Sequence, residues 1–530
     1  MTEYSRVCNT YLQKHICGEK SRNKAYAGGL NCVTTHTTKF LRFEIKNDVK
    51  TACARITYAR RFLLTLIFAC VKISAITMKK LRMKISVWQF LSLGYLLVIL
   101  SGSALLSFPF ATSDGTPTSY INALFTSASA TCVTGLTPFD TGVHWSVFGQ
   151  LVILFLIQTG GLGFMTFVSV VFLMLRRKMG LYERKALMSA TGGSNKLNGV
   201  SRLIKRVFIG TAIFEFMGAC LLCYPFCRDY GGIGVYYSLW HSISAFCNAG
   251  FDLVGVGGTS LSAYATDPLV CLTICALIIF GGMGFLVWGD FIDCKARLKK
   301  LQLNTKIVLL MTCLLLIVST LLFLGFEWNN PAYENYNFWQ KLLCSIFNAV
   351  SPRTAGFFTT DPATLSESGY LLTVMLMFIG GSSGSTAGGI KVGTFAVIIM
   401  GMISVFRGRK DINIGKKRIE HSLLSQALAI FTACLMLVMI AVLIICAADP
   451  LFYNPETGVG FKEALFECVS ALGTVGLTLG ITPELGIVSK LVIIVLMYAG
   501  RVGILTLALA LGEKRTASAI RNPVDTLMIG

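Results

Sequence analysis

The chain has 530 residues, 54% of them hydrophobic and 14% charged, and its mean hydropathy is +0.67. A soluble core with a hydrated surface does not carry that balance, so the sequence is that of an integral membrane protein. The formal net charge of +21 reads as membrane topology and lipid contact, and nucleic acid is not expected as a partner.

Residues 1–77 stand apart from the rest. They carry thirteen Lys/Arg against four Asp/Glu, five of the eighteen cysteines, and one apolar run at 62–71, too short to span a bilayer. No small-residue cleavage site follows that run, which argues against a signal peptide. The segment reads either as a disordered tail or as an upstream extension of a protein that starts at Met78 or Met83. "MKKLRMK" then flanks the first span with basic charge.

Apolar runs of spanning length follow at 88–108, 147–175, 207–224, 269–288, 307–326, 371–402, 423–446 and 487–511, as the thickness of the hydrocarbon core demands. Eight spans place both termini on one side. The loops after spans two, four and six hold the basic clusters, including Arg176, Arg177, Lys178, Lys299, Lys300, Arg407, Arg409 and Lys410. The alternate loops hold acids such as Asp114, Asp140, Asp267, Glu327 and Asp449. The positive-inside rule then makes both termini cytoplasmic in a multi-pass protein of the cell membrane. Cys220 and Cys223 form a C-x-x-C inside an apolar run, without a second pair at zinc-ligand spacing, and are expected as small buried hydrophobes.

Stacking the segments on a glycine exposes a repeat. "TCVTGL" aligns on Gly135, "FCNAGF" on Gly250, "PRTAGF" on Gly356 and "LGTVGL" on Gly476, at intervals of 115, 106 and 120 residues. Ten residues before each glycine stands a bulky apolar residue: Phe125, Trp240, Ile346 and Phe466. Between them run short stretches rich in small residues, "TSASAT", "HSISAF", "FNAVSP" and "ECVSAL", each read as a half-membrane pore helix. Past each glycine, inside the next span, comes a second glycine-bearing element: "TGGLGF", "FGGMGF", "GGSSGS" and "AGRVGI".

The expected fold is an all-α integral membrane protein of four tandem repeats, each a span (M1), a pore helix and a second span (M2), arranged pseudo-fourfold around a central ion pore. The boundaries fall at 78–178, 179–290, 291–405 and 406–512, with 513–530 a cytoplasmic tail.

Irregular backbone at membrane depth is tolerated only where it is buried in protein or lines a water- or ion-filled path. Glycine permits the positive φ that lets successive carbonyls face one axis. Four sets of carbonyls can then replace the hydration shell of a monovalent cation, and a pore helix ending just before each glycine aims the negative end of its dipole at the cavity. The candidate selectivity filter is therefore Val133, Thr134 and Gly135; Asn248, Ala249 and Gly250; Thr354, Ala355 and Gly356; and Thr474, Val475 and Gly476. The last of these sets is the tripeptide that tetrameric K+ channels repeat. Backbones are read as ligands and side chains as their support. Arg353 and Glu467 are ionisable residues beside the filter, read as structural partners of the loops ahead of ion contacts.

"GGSSGSTAGGIK" at 380–391 lacks the Gly-Lys-Ser/Thr ending of a phosphate loop and sits inside a span. Glycine and serine propagate a helix poorly, so a broken helix under the filter is expected to act as a flexible plug. The candidate gate is Gly380, Gly381, Ser382, Ser383, Gly384, Ser385, Thr386, Ala387, Gly388 and Gly389, together with Arg501. Arg501 lies fourteen residues into the final span, about 20 Å along it. Level with the loop on the pore axis, its guanidinium would repel a cation.

"RTAGF", "GTVGLT", "GGSSGSTAGGIKVGTF" and the "GRVG" at 500–503 together resemble the translocating subunit of bacterial Ktr-type potassium uptake systems, within the Ktr/Trk/HKT superfamily. The resemblance covers about residues 79–530. It implies K+ selectivity through four filter glycines, an intramembrane gating loop at 380–389, a homodimer, and a cytosolic nucleotide-binding ring that regulates flux. No nucleotide-binding domain is legible after Leu511, so nucleotide is expected to act only through that partner subunit, with no cofactor held by the chain itself. K+ is the expected substrate, with Na+ stimulation left open. The alternative is a broken-helix secondary transporter of another cation or of an ion-coupled solute, which more often shows a two-part repeat. An enzyme is not expected, since the five histidines form no metal-spaced pair on a common helix.

Overall fold

The computed structural model describes residues 86–163, 166, 167, 169, 200–255, 258–294, 297–409, 411–414, 417–453 and 458–512. The expectations for 1–77, for the basic residues 176–199 and for the tail 513–530 lie outside the described residues.

The described chain is a succession of apolar helices in four groups, each with a short helix that ends ahead of one of the aligned glycines. The first holds α1 (Val87–Leu106), α2 (Tyr120–Cys132) and α3 (Val147–Leu162). The second holds α4 (Val200–Tyr230), α5 (Gly234–Phe246), α6 (Pro268–Gly282) and α7 (Phe285–Asp293). The third holds α8 (Leu303–Phe326), α9 (Phe338–Val350), α10 (Glu367–Phe378) and α11 (Val392–Phe406). The fourth holds α12 (His421–Ala448), α13 (Phe461–Gly473), α14 (Ile487–Val502) and α15 (Ile504–Leu511). A short antiparallel ribbon, β1 (Ile412–Ile414) with β2 (Lys417–Ile419), connects α11 to α12.

The opening helix of each unit belongs to a stretch long and apolar enough to cross a membrane: α1, α8, α12 and the stretch Ile204–Phe246, which runs through α4 into α5. In the second and fourth units the second span differs from the uninterrupted run expected from hydropathy. α6 and α7 meet at 86°, and α14 and α15 at 95°. The breaks fall at glycines whose backbone only a residue without Cβ adopts easily: Gly284 at φ +94° and Gly503 at φ +90°. Gly163, which caps α3, has φ +81°. These three glycines close the aligned elements "TGGLG", "FGGMG" and "AGRVG". In the third unit the run 371–402 is split by residues 379–391.

Local chemistry fixes where each second span begins. Ser146, Asp267 and Ser366 N-cap α3, α6 and α10 by accepting from Gly149 N, from Leu269 N and Val270 N, and from Gly369 N, satisfying donors a helix start leaves open. In the third and fourth units the acid that closes the opening helix holds the start of the second span, α10 and α14. Glu327 accepts from Ser366 N at 3.1 Å, and Asp449 accepts from Gly486 N and Ser489 Oγ, both at 2.7 Å.

Two buried apolar clusters hold the units together. One joins Leu106 and Leu156 to Leu222, Trp240, Phe246 and Phe347 across the first three units. The other joins Ile99 and Phe125 to Met377, Phe466, Leu472 and Met497 across the first, third and fourth. The outward surface is apolar too: Leu310, Phe216, Leu443 and Val495 are all at least 60% exposed. Such a face suits a solvent of lipid tails.

Cys220 and Cys223 depart from the buried pair expected. Cys220 is exposed and Cys223 half-buried, because they lie toward the outer side of α4; Cys223 Sγ sits 3.5 Å from Cys227 Sγ one turn on. Both are free thiols.

Candidate ion pore

The short helices α2, α5, α9 and α13 are rich in buried small residues, among them Ser127, Ala128 and Ser129, Ser244 and Ala245, Ser345 and Ala349, and Ser470 and Ala471. Small side chains let these helices sit deep among the spans. After each helix the chain turns through a left-handed residue. Among the described residues, five non-glycine residues have positive φ, and four are Val133 (59°), Asn248 (59°), Thr354 (75°) and Thr474 (51°). Each lies two residues before an aligned glycine. Three of the four are β-branched, for which this region is costly and persists only where the surroundings enforce it. The glycines themselves have φ of 98°, 71°, 78° and 94° at Gly135, Gly250, Gly356 and Gly476. One unusual backbone motif is thus built four times.

The four motifs close on one another. A Cβ placed on Gly135 would lie 2.6 Å from Ala249 O, one on Gly250 2.7 Å from Ala355 O, one on Gly356 2.5 Å from Val475 O, and one on Gly476 would strike Thr134 O. Each glycine therefore abuts the carbonyl preceding the next, and the fourth returns to the first. Val133, Thr134, Asn248, Ala249, Thr354, Ala355, Thr474 and Val475 are all at most 1% exposed.

Hydrogen bonds pin the turns to their helices. Thr134 N, Ala249 N and Val475 N each donate at 2.8 Å to a serine carbonyl five residues back, in Ser129, Ser244 and Ser470. Ser129 Oγ accepts from Gly135 N at 3.0 Å, and Ser470 Oγ from Gly476 N at 3.1 Å. Asn248 Nδ2 donates to Thr354 Oγ1 at 3.1 Å, linking the second motif to the third. These serines were visible in the sequence only as small residues; their recurrence six residues before Gly135, Gly250 and Gly476 was the available signal.

Arg353 and Glu467 do not meet. Glu467 accepts from Thr478 Oγ1 and, at 3.1 Å, from Thr482 Oγ1, tying down the strand that leaves the fourth glycine. Arg353 is 8% exposed and lines a small cavity with Thr312, Val350 and Gly381.

The 380–391 loop contacts the other units through its backbone. Ser382 N donates to Gly282 O at 2.9 Å, Thr386 N to Gly281 O at 3.3 Å, and Gly384 O accepts from Phe285 N at 2.8 Å, so the loop docks on the break between α6 and α7. Gly380 N donates to Ile390 O at 2.9 Å, closing the loop's neck. The loop also packs against the fourth turn, since a Cβ on Gly388 would overlap Thr474 Oγ1. Arg501 donates from Nη1 to Thr386 O, and from Nη2 to Gly160 O and, at 3.1 Å, to Gly161 O. One guanidinium thus joins the fourth unit, the loop and the first unit. Lys391, which the sequence reading left out, donates from Nζ to Ala387 O at 2.7 Å and to Gly388 O at 3.3 Å. A cavity of about 340 Å³ opens beside the loop, lined by Tyr95, Gly163, Lys391, Leu472, Arg501 and Gly503 among others, with no carboxylate among the described residues of its wall.

Comparison with known proteins follows this geometry. Residues 58–516 match the family model described as TrkH, cation transport protein. The chain belongs to the TrkH cation transport family. It is 38% identical over 455 residues to the potassium/sodium uptake protein NtpJ of Enterococcus hirae, covering 85% of this chain and 99% of that protein. It is 40% identical over 444 residues to the Ktr system potassium uptake protein B of Bacillus subtilis, covering 83% and 96%. The crystal structure of the potassium transporter TrkH from Vibrio parahaemolyticus superposes with a TM-score of 0.60 at 20% identity, covering 79% of this chain and 84% of that one. As a TrkH-family member with several apolar spans, the chain is a multi-pass membrane protein.

Proposed function

We propose that the chain takes up K+ across the cell membrane through a filter formed by the four turns at Gly135, Gly250, Gly356 and Gly476. The observation that carries this reading is the closed ring of four left-handed motifs, each set against the carbonyl before the next glycine. Strained backbone repeated at one place in four units is the expected cost of turning carbonyls toward one axis, where they stand in for the water around a cation. Buried oxygens such as Thr134 Oγ1, Asn248 Oδ1 and Thr474 Oγ1 are left without a hydrogen-bond partner among the described residues, adding to a polar, cation-favouring surround. The relatives whose names carry potassium uptake match almost their whole length.

Below the ring, the 380–389 loop fills the path and Arg501 holds it against the first unit. Arg501 and Lys391 face one cavity whose wall holds no carboxylate among the described residues, and the guanidinium's charge opposes cation passage until the loop moves. In this reading the four repeats divide near 178, 290 and 405, and the termini are cytoplasmic. The chain pairs as a homodimer in lipid, and a cytosolic nucleotide-binding ring docks on the basic loops to release the gate. Na+-stimulated flux would share the same filter. The chain performs no covalent chemistry.

Flux into proteoliposomes tests the function. Purified protein should carry K+ down its gradient in the absence of any organic solute. Uptake of an organic solute without K+ flux would replace this reading with the secondary-transporter one.

A further inference from the structure

The helices leading to the ring carry one position whose occupants divide the four units into two kinds. Nine residues before the ring glycines stand Thr126, His241, Phe347 and Glu467. Thr126 Oγ1 donates back to Asn122 O within its own helix at 2.9 Å, and Phe347 has no acceptor to offer. His241 and Glu467 belong to the second and fourth units, which face each other across the ring. They are at most 1% exposed, and both turn an acceptor toward the strand leaving their glycine.

The hydrogen bonds define what these residues do. His241 Nδ1 lies 2.7 Å from Tyr237 O; a carbonyl only accepts, so Nδ1 carries the proton and Nε2 presents its lone pair. That lone pair accepts from Leu253 N at 3.4 Å, three residues after Gly250. Glu467 accepts from Thr478 Oγ1 and, at 3.1 Å, from Thr482 Oγ1, both on Oε1. Leu479 N–H, three residues after Gly476, faces the same carboxylate. A neighbouring contact reinforces the first site: Trp240 Nε1 and Ser244 Oγ both donate to Phe251 O, at 3.1 and 2.8 Å. Glu467 Oε2 has no hydrogen-bond partner among the described residues, so the carboxylate works through one oxygen. Neither residue makes an ion pair among the described residues.

We propose that His241 and Glu467 are paired positioning residues that brace the outgoing strands of two opposite ring segments. They act by accepting hydrogen bonds, not by placing charge beside the pore. The proposal rests on the reading of the four turns as a cation filter. Two opposite walls are braced from this position, whereas the third wall is tied by other contacts, Ser351 Oγ donating to Phe357 O and Leu261 N donating to Phe358 O at 3.0 Å. The spacing across the braced pair then sets how well the ring fits one cation over another. From the sequence alone Glu467 reads as a structural partner of its loop ahead of an ion contact, and His241 as one of five histidines without a metal-spaced partner on a common helix.

The test is the K+/Na+ flux ratio of the full chain in proteoliposomes, normalised to inserted protein. His241→Ala and Glu467→Ala should each lower the ratio by about tenfold, the scale of losing hydrogen bonds to a buried group. Glu467→Gln keeps Oε1 and should stay within about twofold of the parent, as should Thr126→Ala, which touches no brace. Thr478→Val with Thr482→Val strips two donors from the carboxylate without altering α13 and should move the ratio in the same direction as Glu467→Ala. A purely structural role would lower K+ and Na+ flux together and leave the ratio alone. Gly250→Ser serves as the reference for the filter itself. If it shifts the ratio while the histidine, glutamate and paired threonine variants do not, the brace is wrong and the filter stands. If Glu467→Gln falls as far as Glu467→Ala, charge is the operative property and the proposal is overturned. If Gly250→Ser also leaves the ratio unchanged, the filter reading fails as well.

Discussion

Asn248 Nδ2 donates to Thr354 Oγ1 at 3.1 Å, and the two residues hold the same place in adjoining units, each left-handed and two before a ring glycine. Both are buried, at 1% and 0% exposure. Thr354→Val keeps the shape of the side chain but leaves the Asn248 amide unpaired, at a cost of about 1–3 kcal/mol. A double-mutant cycle with Asn248→Leu, read by thermal unfolding in detergent, should return a coupling of roughly 1 kcal/mol between the two sites. Additivity would show that the seam between these motifs does not depend on this bond.

Among the described residues, Arg501 is the side chain that ties the loop to the first unit through carbonyls on both. Arg501→Ala removes several charge-assisted hydrogen bonds and the positive charge, so the loop should leave the path more often. K+ flux should rise by roughly tenfold, the ratio that about 1.4 kcal/mol gives. It should also depend less on any regulatory partner. Arg501→Lys keeps the charge but lacks the planar fork needed to bridge separate carbonyls, and should retain part of the barrier. A stable, inserted alanine variant that conducts no faster would reduce Arg501 to a structural tie.

Gly388 marks where the loop presses on the fourth motif. A Cβ there would overlap Thr474 Oγ1, so Gly388→Ala should displace the loop or the turn at Thr474 and change both flux and thermal stability. Thr474→Ala removes the obstructing hydroxyl and methyl and should recover part of the loss in the double variant. Failure of any recovery would mean that the close approach of loop and filter is not what Gly388 serves.

Asp449 sits away from the pore and tests the scaffold. Its carboxylate accepts from Gly486 N and Ser489 Oγ at 2.7 Å, joining the end of α12 to the start of α14. Asp449→Ala should lower stability by about 1–3 kcal/mol through the donors left unpaired, with the K+/Na+ flux ratio unchanged in the protein that folds. Measurements of unfolding and flux on the same preparation separate the two effects.

Stacking on Gly135, Gly250, Gly356 and Gly476 reaches four positive-φ turns, because glycine is hard to replace where φ is positive. The residues two places earlier were harder to read. Val133, Thr354 and Thr474 disfavour a left-handed backbone, and only the surrounding packing forces them into it. Hydropathy counted eight runs yet could not see the 86° and 95° bends, because Gly284 and Gly503 interrupt the helix through their dihedrals without lowering the apolar content. Glu467 was noticed for its charge, but its partners lie eleven and fifteen residues on, beyond any helical period. Lys391 carries no signal in the sequence, because its bonds to Ala387 O and Gly388 O form only once the loop curls back.

The claim that the ring of four glycines selects the ion is tested most directly by one set of fluxes. Gly135→Ser, Gly250→Ser, Gly356→Ser and Gly476→Ser each place a Cβ against the carbonyl before the next glycine, where the backbone has no room to yield. K+ and Na+ flux should be measured for all four in proteoliposomes containing equal inserted protein. The account predicts a K+/Na+ ratio lowered by roughly tenfold or more in every variant, since the four walls are equivalent. A ratio unchanged in all four would contradict it and move selection elsewhere in the protein.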